Sequence, residues 1–443
     1  MPLVSRDGLT YTFRIRKGVF FQQDPCFGEK SNGARELVAQ DFIYSWNRLL
    51  DPKVGASGEW TLKGRIKELL APDAHTLVVR LTKPHQQFLY LTAMNYLAAV
   101  AHEAVEYYGL DFGFHPVGTG PFRLGSFTAN EYIWMRNPQY YGSKSSLEGI
   151  RDIVLAEDQP ALMGFLNGEY DVLTRVPQEL LAPGGPKLPP GAEVLKEPAA
   201  DFTYFALNMA HPLIGKNRFL RQAMSLAYDI GPVIEKFYGG LALKAEFLIP
   251  PGIGGYDPTF KNAYTLYNLV KARQLLAQAG YPEGRGLPEF SLDAPVGTQS
   301  RLLGEYFVRS LAQLGVRVRL NLVLWPELLA RVQRRQGEIY SVAWVYDYPD
   351  PENGFQILYG PNESPGPNKA NYHNPELDRL LEKLGGPLDS ALIAKMRALI
   401  VKDAPWIFGV HRLETRLVQG RVKNYKISAF DYGIEKYLKL DIH

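Results

Sequence analysis

Hydrophobic and polar side chains alternate along residues 10–16, which is the period of a strand with one buried face. Residues 39–50 follow a longer period, with Phe42, Trp46 and Leu49 at the i, i+4 and i+7 positions of one helix face. Strand patterns and helix patterns go on alternating along the rest of the chain. This alternation predicts an α/β fold.

The predicted strands are residues 10–16, 76–81, 122–127, 131–136, 153–156, 170–173, 203–208, 290–294, 316–324 and 339–346, with strand-like alternation again from 416 onward. The predicted helices are residues 39–50, 88–100, 161–167, 217–228, 269–279, 301–314, 375–384 and 391–403. Two segments rich in glycine and proline, 115–122 and 183–191, cannot be the interior of a regular element and mark candidate boundaries.

The composition is that of an ordinary globular protein. The chain has 443 residues, of which 46% are hydrophobic and 21% charged, so a disordered or fibrous chain is excluded. At about 150 residues per domain, this length predicts about three domains. The net charge is only +3, which gives no dominant positive field and argues against a nucleic-acid partner.

Cys26 is the one cysteine, so neither an internal disulfide nor a structural zinc site is expected. No apolar stretch reaches the ~18 residues that a membrane-spanning helix needs. The first residues show no pattern of an export signal. The compartment therefore cannot be read from the start of the sequence.

One segment combines acidic and aromatic residues directly after a predicted strand. Asp347 follows the strand 339–346, and ligand groups in open α/β sheets lie beyond the carboxyl ends of strands. In that interpretation Asp347 meets a cationic ligand group, and Trp344, Tyr346 and Tyr348 form the apolar walls. The alternative is a solvated turn, which Asp and Pro favour. Asp347 and Asp350 are too close in sequence to favour the paired acids of a glycoside hydrolase.

No other segment carries a catalytic or metal-binding signature. Residues 118–121 lack the spacing of a phosphate loop, the eight histidines include no pair at i and i+4, and no G-x-S-x-G occurs. The basic run from Arg331 to Arg335 is predicted to be the solvated face of a helix. No metal and no cofactor are expected.

Several segments, taken in order, resemble those of a known family. They are DGLTYTFRIRKGV (7–19), AQDFIYSWNR (39–48), HPVGTGPFRL (115–124), RNPQYY (136–141), FALN (205–208), NRFLRQAMSLAYD (217–229), WVYDYPDP (344–351) and NYHNPELDRL (371–380). The sequence is similar in these segments to the family 5 extracellular solute-binding proteins, the oligopeptide- and dipeptide-binding components of ABC importers.

The resemblance implies a type II periplasmic-binding-protein fold, with two α/β lobes, a hinge and an inserted extra domain. It places the inserted domain at 8–115, the first lobe at 116–202 and 412–443, and the second lobe at 203–411. Family members carry further first-lobe elements before the D-G-x-T-Y-T-F segment. The first lobe is therefore expected to be incomplete at its N-terminus.

The implied function is capture of a peptide or peptide-like solute between the lobes by hinge closure, followed by delivery to a membrane permease. The implied protein is a periplasmic or cell-envelope monomer without enzymatic activity. Asp347 would pair with the α-amino group of the ligand, Trp344, Tyr346 and Tyr348 would also bind it, and Gly118, Thr119, Gly120 and Asn208 would lie at the hinge or cleft. Two alternatives stay open: a carboxylate-based hydrolase of sugars or peptidoglycan fragments, and the same fold with nickel, a sugar or an opine as its solute.

Overall fold

The computed structural model describes residues 1–28, 35–56, 58–155, 157–176, 180, 185–384, 388–430, 437 and 439–442. The chain divides into two compact units. Unit 1 comprises Met1–Leu195 and Thr415–His443, and unit 2 comprises Lys196–Glu414. The chain passes from one unit to the other twice.

Among its described residues, unit 1 begins with ten strands and four α-helices. The strands are β1 Leu3–Val4, β2 Thr10–Arg14, β3 Phe20–Phe21, β4 Arg35–Glu36, β5 Ile66–Asp73, β6 Thr76–Leu81, β7 Phe122–Phe127, β8 Glu131–Arg136, β9 Gly149–Ile153 and β10 Val172–Leu173. The helices are α1 Ala39–Leu50, α2 Phe88–Thr92, α3 His102–Tyr108 and α4 Asp158–Leu166. These strands form two larger antiparallel sheets, with the orders β1-β2-β6-β5 and β7-β8-β9.

Helix α1 shows how the sequence pattern becomes packing in unit 1. Its apolar stripe buries Trp46, whose indole Nε1 donates to the carbonyl oxygen of Leu97 at 3.0 Å. At the start of α1 the carboxylate of Asp41 accepts from the backbone N–H of Val38 at 2.8 Å and pairs with the guanidinium of Arg35. The side chain thus satisfies a backbone donor that the first turn of a helix leaves unpaired.

Unit 2 begins inside the strand β11 Glu193–Pro198 and ends inside the strand β18 Val410–Val418. The strands between them are β12 Asp201–Leu207, β13 Ala242–Lys244, β14 Phe290–Pro295, β15 Val318–Val323, β16 Ile339–Val345 and β17 Trp406–Phe408. The helices are α5 Pro212–Lys216, α6 Arg218–Ala227, α7 Ile230–Phe237, α8 Leu269–Gln278, α9 Thr298–Ala312, α10 Trp325–Gln333, α11 Pro351–Phe355, α12 Pro375–Leu381 and α13 Ser390–Asp403.

A five-stranded sheet is the frame of unit 2. Its order is β15-β14-β16-β12-β17, with β14 parallel to both of its neighbours and β12 antiparallel to both of its neighbours. Side chains from the sheet and the helices form one large apolar core that includes Phe205, Leu292, Phe307 and Ile339. The parallel strands β14, β15 and β16 therefore end at one common edge of the sheet.

The chain returns to unit 1 in the second half of β18 and ends with β19 Val422–Lys423 and β20 Asp441–Ile442, which pair with each other. Within unit 1, β18 pairs with β10 through Val172↔Val418 and Leu173↔Leu417. Unit 1 is thus discontinuous, since the C-terminal chain belongs to it. The three-part division into 8–115, 116–202 with 412–443, and 203–411 stays a prediction.

Some predicted elements differ from the structure. The predicted helix 88–100 stops after α2 because contacts with α1 hold the following chain, where the backbone N–H of Val100 donates to the hydroxyl of Ser45 at 2.8 Å. The predicted strand 153–156 is wrong, since β9 pairs with β8 only as far as Glu131↔Ile153. Residues 156, 183 and 184 of the predicted strand and boundary lie outside the described residues.

The basic run is not simply a solvated helix face. Arg331 donates from Nε to the carboxylate of Asp293 at 2.8 Å, and Asp293, a residue of β14, is fully buried. Arg334 and Arg335 follow the end of α10, and Arg335 has a positive φ of 58°. A charge pattern alone could not reveal that a buried acid lies opposite the first arginine.

Candidate functional site

The predicted ligand wall lies where β16 ends. This strand pairs with β12 along its whole length, up to Asp201↔Val345. The backbone N–H of Tyr346 adds one more bond, to the carbonyl oxygen of Ala200 at 2.8 Å. Asp347 is therefore the first residue beyond the end of this strand pairing. It lies at the carboxyl edge of the parallel strands.

A short helix folds back against this strand end. The carboxylate of Asp350 accepts from the backbone N–H of Glu352 at 2.9 Å, and Pro351 occupies the first turn of α11. An aspartate cap followed by proline is a strong start signal for a helix. The cap fixes where α11 begins and so brings its third residue, Asn353, next to the strand end.

Asn353 organises the candidate site, and it was not predicted from the sequence. Its side chain is fully buried. Its Oδ1 accepts from Trp344 Nε1 at 3.0 Å and from the backbone N–H of Asp347 at 3.1 Å. Its Nδ2 donates to Asp347 Oδ2 at 3.2 Å. Asp350 and Pro351 were visible helix-start signals, and they would have placed Asn353 near Asp347.

Asp347 is a half-buried carboxylate with one side-chain partner among the described residues. Burial raises the pKa of the carboxyl group above its ordinary value of 3.8, and the hydrogen bond from Asn353 acts in the opposite direction. Within the described ranges no lysine, arginine or histidine forms an ion pair with it. A carboxylate in this setting is stabilised by any cation that reaches it, because burial penalises an unpaired charge.

The other predicted wall residues differ in exposure. Trp344 is half-buried beside Asp347, whereas Tyr346 is fully buried and Tyr348 is 4% exposed. The hydroxyl of Tyr346 donates to the carbonyl oxygen of Leu248 at 3.2 Å, and that of Tyr348 donates to Glu352. The structure thus brings Trp344 and Asp347 together through Asn353, and it buries both tyrosines in the interior of unit 2.

The predicted hinge or cleft residues are divided between the units. Gly118, Thr119 and Gly120 belong to unit 1, where Gly118 accepts from the backbone N–H of Gln22 at 2.8 Å. Asn208 is buried in unit 2 and donates from Nδ2 to the carbonyl oxygen of Gly337 at 2.8 Å. In the sequence, neither set is adjacent to the points at which the chain passes between the units, 195–196 and 414–415.

Unit 2 also contains a cavity of about 310 Å³ beside the same sheet. Residues of β12 and β16 line it, including Thr203, Ser341 and Ala343, together with Ser300 of α9 and Trp325 of α10. In the part of the chain that the structure describes, no group of three His, Cys, Asp or Glu side chains is placed to hold a metal ion. No helix within that part has the length and apolar character of a membrane span.

The fold is the α/β fold of the family 5 periplasmic binding proteins, as predicted. A solved structure described as the ABC transporter-associated periplasmic binding protein DppA from Helicobacter pylori, in complex with the peptide STSA, matches with a TM-score of 0.84 and 25% identity. The match covers 100% of this chain and 88% of that one.

The family "Bacterial extracellular solute-binding proteins, family 5 Middle" matches residues 2–366, and the chain belongs to it. The predicted membership, and with it the function of a solute-binding component of an ABC importer, is confirmed. Heme-binding protein A of Haemophilus influenzae is 27% identical over 97% of this chain and 81% of its own length. Probable di/tripeptide-binding protein 5 of Pseudomonas aeruginosa is 26% identical over 96% of this chain and 83% of its own length. These relatives are binding proteins.

Proposed function

We propose that this solute-binding protein captures peptides or peptide-like solutes through their ammonium group, with Asp347 as the charge partner, and delivers them to a membrane permease. The H. pylori structure holds a peptide, and the P. aeruginosa relative is described as a di/tripeptide-binding protein. Trp344 lines the proposed binding region of unit 2, and the buried Tyr346 and Tyr348 support it from the interior.

The observation that carries this proposal is the state of Asp347. The carboxylate is half-buried, its pKa is raised by burial, and Asn353 is its one side-chain partner among the described residues. A peptide α-ammonium is positive at neutral pH and offers N–H donors, so it can bind the two carboxylate oxygens of Asp347 directly. The pairing would offset the desolvation of the carboxylate.

The test compares Asp347→Asn with the wild type by calorimetry, using a mixture of tripeptides with free N-termini and the same mixture after N-acetylation. We expect the variant to lose about 2–5 kcal/mol of binding free energy for the free peptides, as when one partner of a buried charge pair is removed. Acetylated peptides should bind weakly to both proteins. Glu305→Gln, which removes an exposed carboxylate of α9 in the same unit, is the matched control.

Two outcomes would overturn the proposal. Equal affinity of the wild type for free and acetylated peptides would show that Asp347 does not bind the ammonium group. Binding of haemin and not of peptides would favour the second candidate, a non-peptide solute, for which the similarity to Heme-binding protein A is the supporting observation. Native mass spectrometry of the gently purified protein would detect nickel, a sugar or an opine as the bound solute.

The remaining features of the proposal concern the whole chain. We propose an inserted domain at 8–115, a first lobe at 116–202 and 412–443, a second lobe at 203–411, and a monomer that acts in the periplasm or cell envelope without turning its ligand over. Gly118, Thr119, Gly120 and Asn208 stay proposed hinge or cleft residues. Light scattering tests the monomer, and incubation with peptide and glycan libraries tests the absence of turnover.

A further inference from the structure

Unit 2 contains another cavity, of about 270 Å³. Its wall is built from β13 and the loop after it, from α13 and from β18. Neither Asp347 nor Trp344 lines it, and among the described residues it shares no lining residue with the 310 Å³ cavity. Pockets for drug-sized ligands measure roughly 300–1,000 Å³, so this cavity suits a smaller molecule.

The wall of this cavity includes a buried histidine whose tautomer can be assigned. His411 is 1% exposed, and its Nδ1 lies 2.7 Å from the carbonyl oxygen of Asp201. A carbonyl oxygen only accepts, so Nδ1 carries the proton and Nε2 carries a lone pair. Burial lowers the pKa of the imidazole below its ordinary 6.5, and the contact with Asp201 acts in the opposite direction. The ring is therefore neutral at neutral pH.

Nε2 of His411 is an acceptor without a donor. No hydrogen bond joins it to any residue that the structure describes. The ring forms part of the cavity wall, and with Nδ1 engaged, Nε2 is the nitrogen left for a molecule in the cavity. Leaving a buried polar atom unpaired is costly, so a ligand that brings a donor here gains stabilisation.

The charged side chains of the cavity are paired with one another. Arg397 donates to the carboxylate of Asp257 at 3.1 Å. The carboxylate of Glu246 lies 3.1 Å from Nζ of Lys244 and 3.9 Å from Nζ of Lys261. A charged ligand would have to compete with these pairs, whereas a neutral one would not. The other N–H groups of the guanidinium and the ammonium groups stay available as donors.

Aromatic rings give the same cavity its apolar contacts. Tyr256 is 38% exposed, and its ring stands edge-on to that of His411, with 6.5 Å between the centroids. Phe260 also lines the cavity and carries the Arg397 guanidinium over its ring at 4.0 Å. A ligand that fits must therefore offer an apolar face together with groups that both donate and accept. Hydroxyl groups do both, and the C–H face of a sugar is apolar.

We propose that this cavity is a second ligand site and takes a small neutral polyol, either a monosaccharide or a sugar alcohol. One hydroxyl donates to His411 Nε2, and neighbouring hydroxyls accept from Arg397 and Lys244. The carbon skeleton packs on Tyr256. The site does not depend on the proposed peptide site, because the two share no residue.

The experiment adds single hexoses, pentoses and hexitols to the wild-type protein and records saturation-transfer NMR and calorimetry. We expect at least one of them to bind with a dissociation constant of about 1 mM or tighter. Comparison of hexoses with hexitols distinguishes a ring sugar from an open-chain alcohol. Tyr256→Ala should weaken binding at least tenfold, a difference of about 1.4 kcal/mol.

Two controls separate this cavity from the rest of unit 2. Tyr267 is also 38% exposed but does not line the cavity, so Tyr267→Ala should bind the polyol as the wild type does. Asp347→Asn should bind it equally well. Together they exclude a general effect of removing an exposed ring and an effect of the peptide site.

Nitrogen NMR of the imidazole rings gives a readout that a purely structural histidine would not show. We expect the Nε2 signal of His411 to be that of an unprotonated nitrogen in the empty protein and to shift when the polyol binds. His373, whose side chain is 65% exposed, is the internal reference and should not shift. No substitution of the buried ring is needed, so folding does not complicate the result.

Several outcomes would overturn the second site. They are binding of no sugar or sugar alcohol by the wild type, equal binding by Tyr256→Ala and the wild type, and a His411 signal that does not respond. Polyol binding that is lost in Asp347→Asn would assign the sugar to the other site. Binding of inorganic phosphate and of no polyol would mean that Lys244 and Lys261 bind anions. The peptide proposal stands or falls separately, on the effect of Asp347→Asn on peptides.

Discussion

The amide of Asn353 ties Trp344 to the strand end, since its Oδ1 accepts from the Trp344 indole at 3.0 Å. The same oxygen accepts from the backbone N–H of Asp347, and both donors fix which way the amide faces. Nδ2 must then point at the Asp347 carboxylate, which it reaches at 3.2 Å. One buried side chain therefore sets the direction of both half-buried groups of the proposed site.

Asn353→Asp tests this arrangement, because it keeps the acceptor and replaces the donor with a second acid. We expect the two carboxyl groups to share a proton, so that the apparent pKa at Asp347 rises further and ammonium binding weakens at least tenfold near pH 6. Calorimetry over a pH series measures the shift. An unchanged pH profile with intact folding would show that Asn353 does not act through Asp347.

Asn353→Ala should cost stability as well as affinity. It leaves the Trp344 N–H and the Asp347 carboxylate without their partner, a loss of about 1–3 kcal/mol for each buried polar group left unpaired. Urea unfolding measures it. If the variant unfolds at the same urea concentration as the wild type, water replaces the amide without cost and the three hydrogen bonds contribute little.

The raised pKa of Asp347 makes ligand binding depend on pH in a defined direction. Only the ionised carboxyl pairs with an ammonium, so affinity for free peptides should fall as the pH drops through that raised pKa. Binding should also release protons in this range, because the bound cation lowers the pKa again. Calorimetry in two buffers of different ionisation enthalpy measures the protons. Asp347→Asn should release none from this site.

Much of the secondary structure could be predicted from the sequence because it depends on local patterns of apolar residues. The limits of α1, β6, β7 and β8 agree with the spacing of apolar residues along the chain. The place of Asp347 at a strand end followed from the same reasoning. Its proposed role as a ligand residue came from the resemblance and not from the pattern.

The rest depends on contacts between distant segments, which no local period records. Asn353 and Lys369 look like ordinary polar residues of loops in the sequence. Asn353 contacts the end of β16 because α11 folds back on that strand. Lys369 is largely buried, and its ammonium lies over the ring of Trp325. Tyr346 and Tyr348 show the converse, since their position beside Asp347 did not reveal that both rings are buried.

Lys369 should make the free energy of unfolding depend on pH, even in the absence of any ligand. Its pKa is about 8 in the folded protein and 10.5 in its ordinary state, so between these values the unfolded chain binds more protons. The contribution of Lys369 to the free energy of unfolding therefore rises with pH across this window, by at most about 1.4 kcal/mol per pH unit, and is constant below it. Urea unfolding of the wild type and Lys369→Met at neutral and alkaline pH should show the rise in the wild type alone. Parallel curves would mean that the ammonium is well hydrated.

The close packing around Gly354 predicts that a larger residue there destabilises the protein. It lies in α11 next to Asn353, and a Cβ atom there would overlap the Tyr346 hydroxyl and lie 2.8 Å from Leu248 Cδ1. The overlap concerns the buried ring behind Asp347, so Gly354→Ala must displace either that ring or the helix. We expect a loss of about 1–3 kcal/mol of stability, typical of overpacking, together with weaker ammonium binding.

Gly231→Ala is the matched control for this substitution. Gly231 also lies in a helix of unit 2, α7, but a Cβ atom there would be 3.4 Å from Asp229 Oδ1, an ordinary contact. Alanine is the better helix former by roughly 1 kcal/mol, so this variant should be as stable as the wild type or more so. Urea unfolding and calorimetry of both variants measure the contrast. Equal stability of the two would mean that α11 shifts freely, and the site would then lack the rigid support that Asn353 requires.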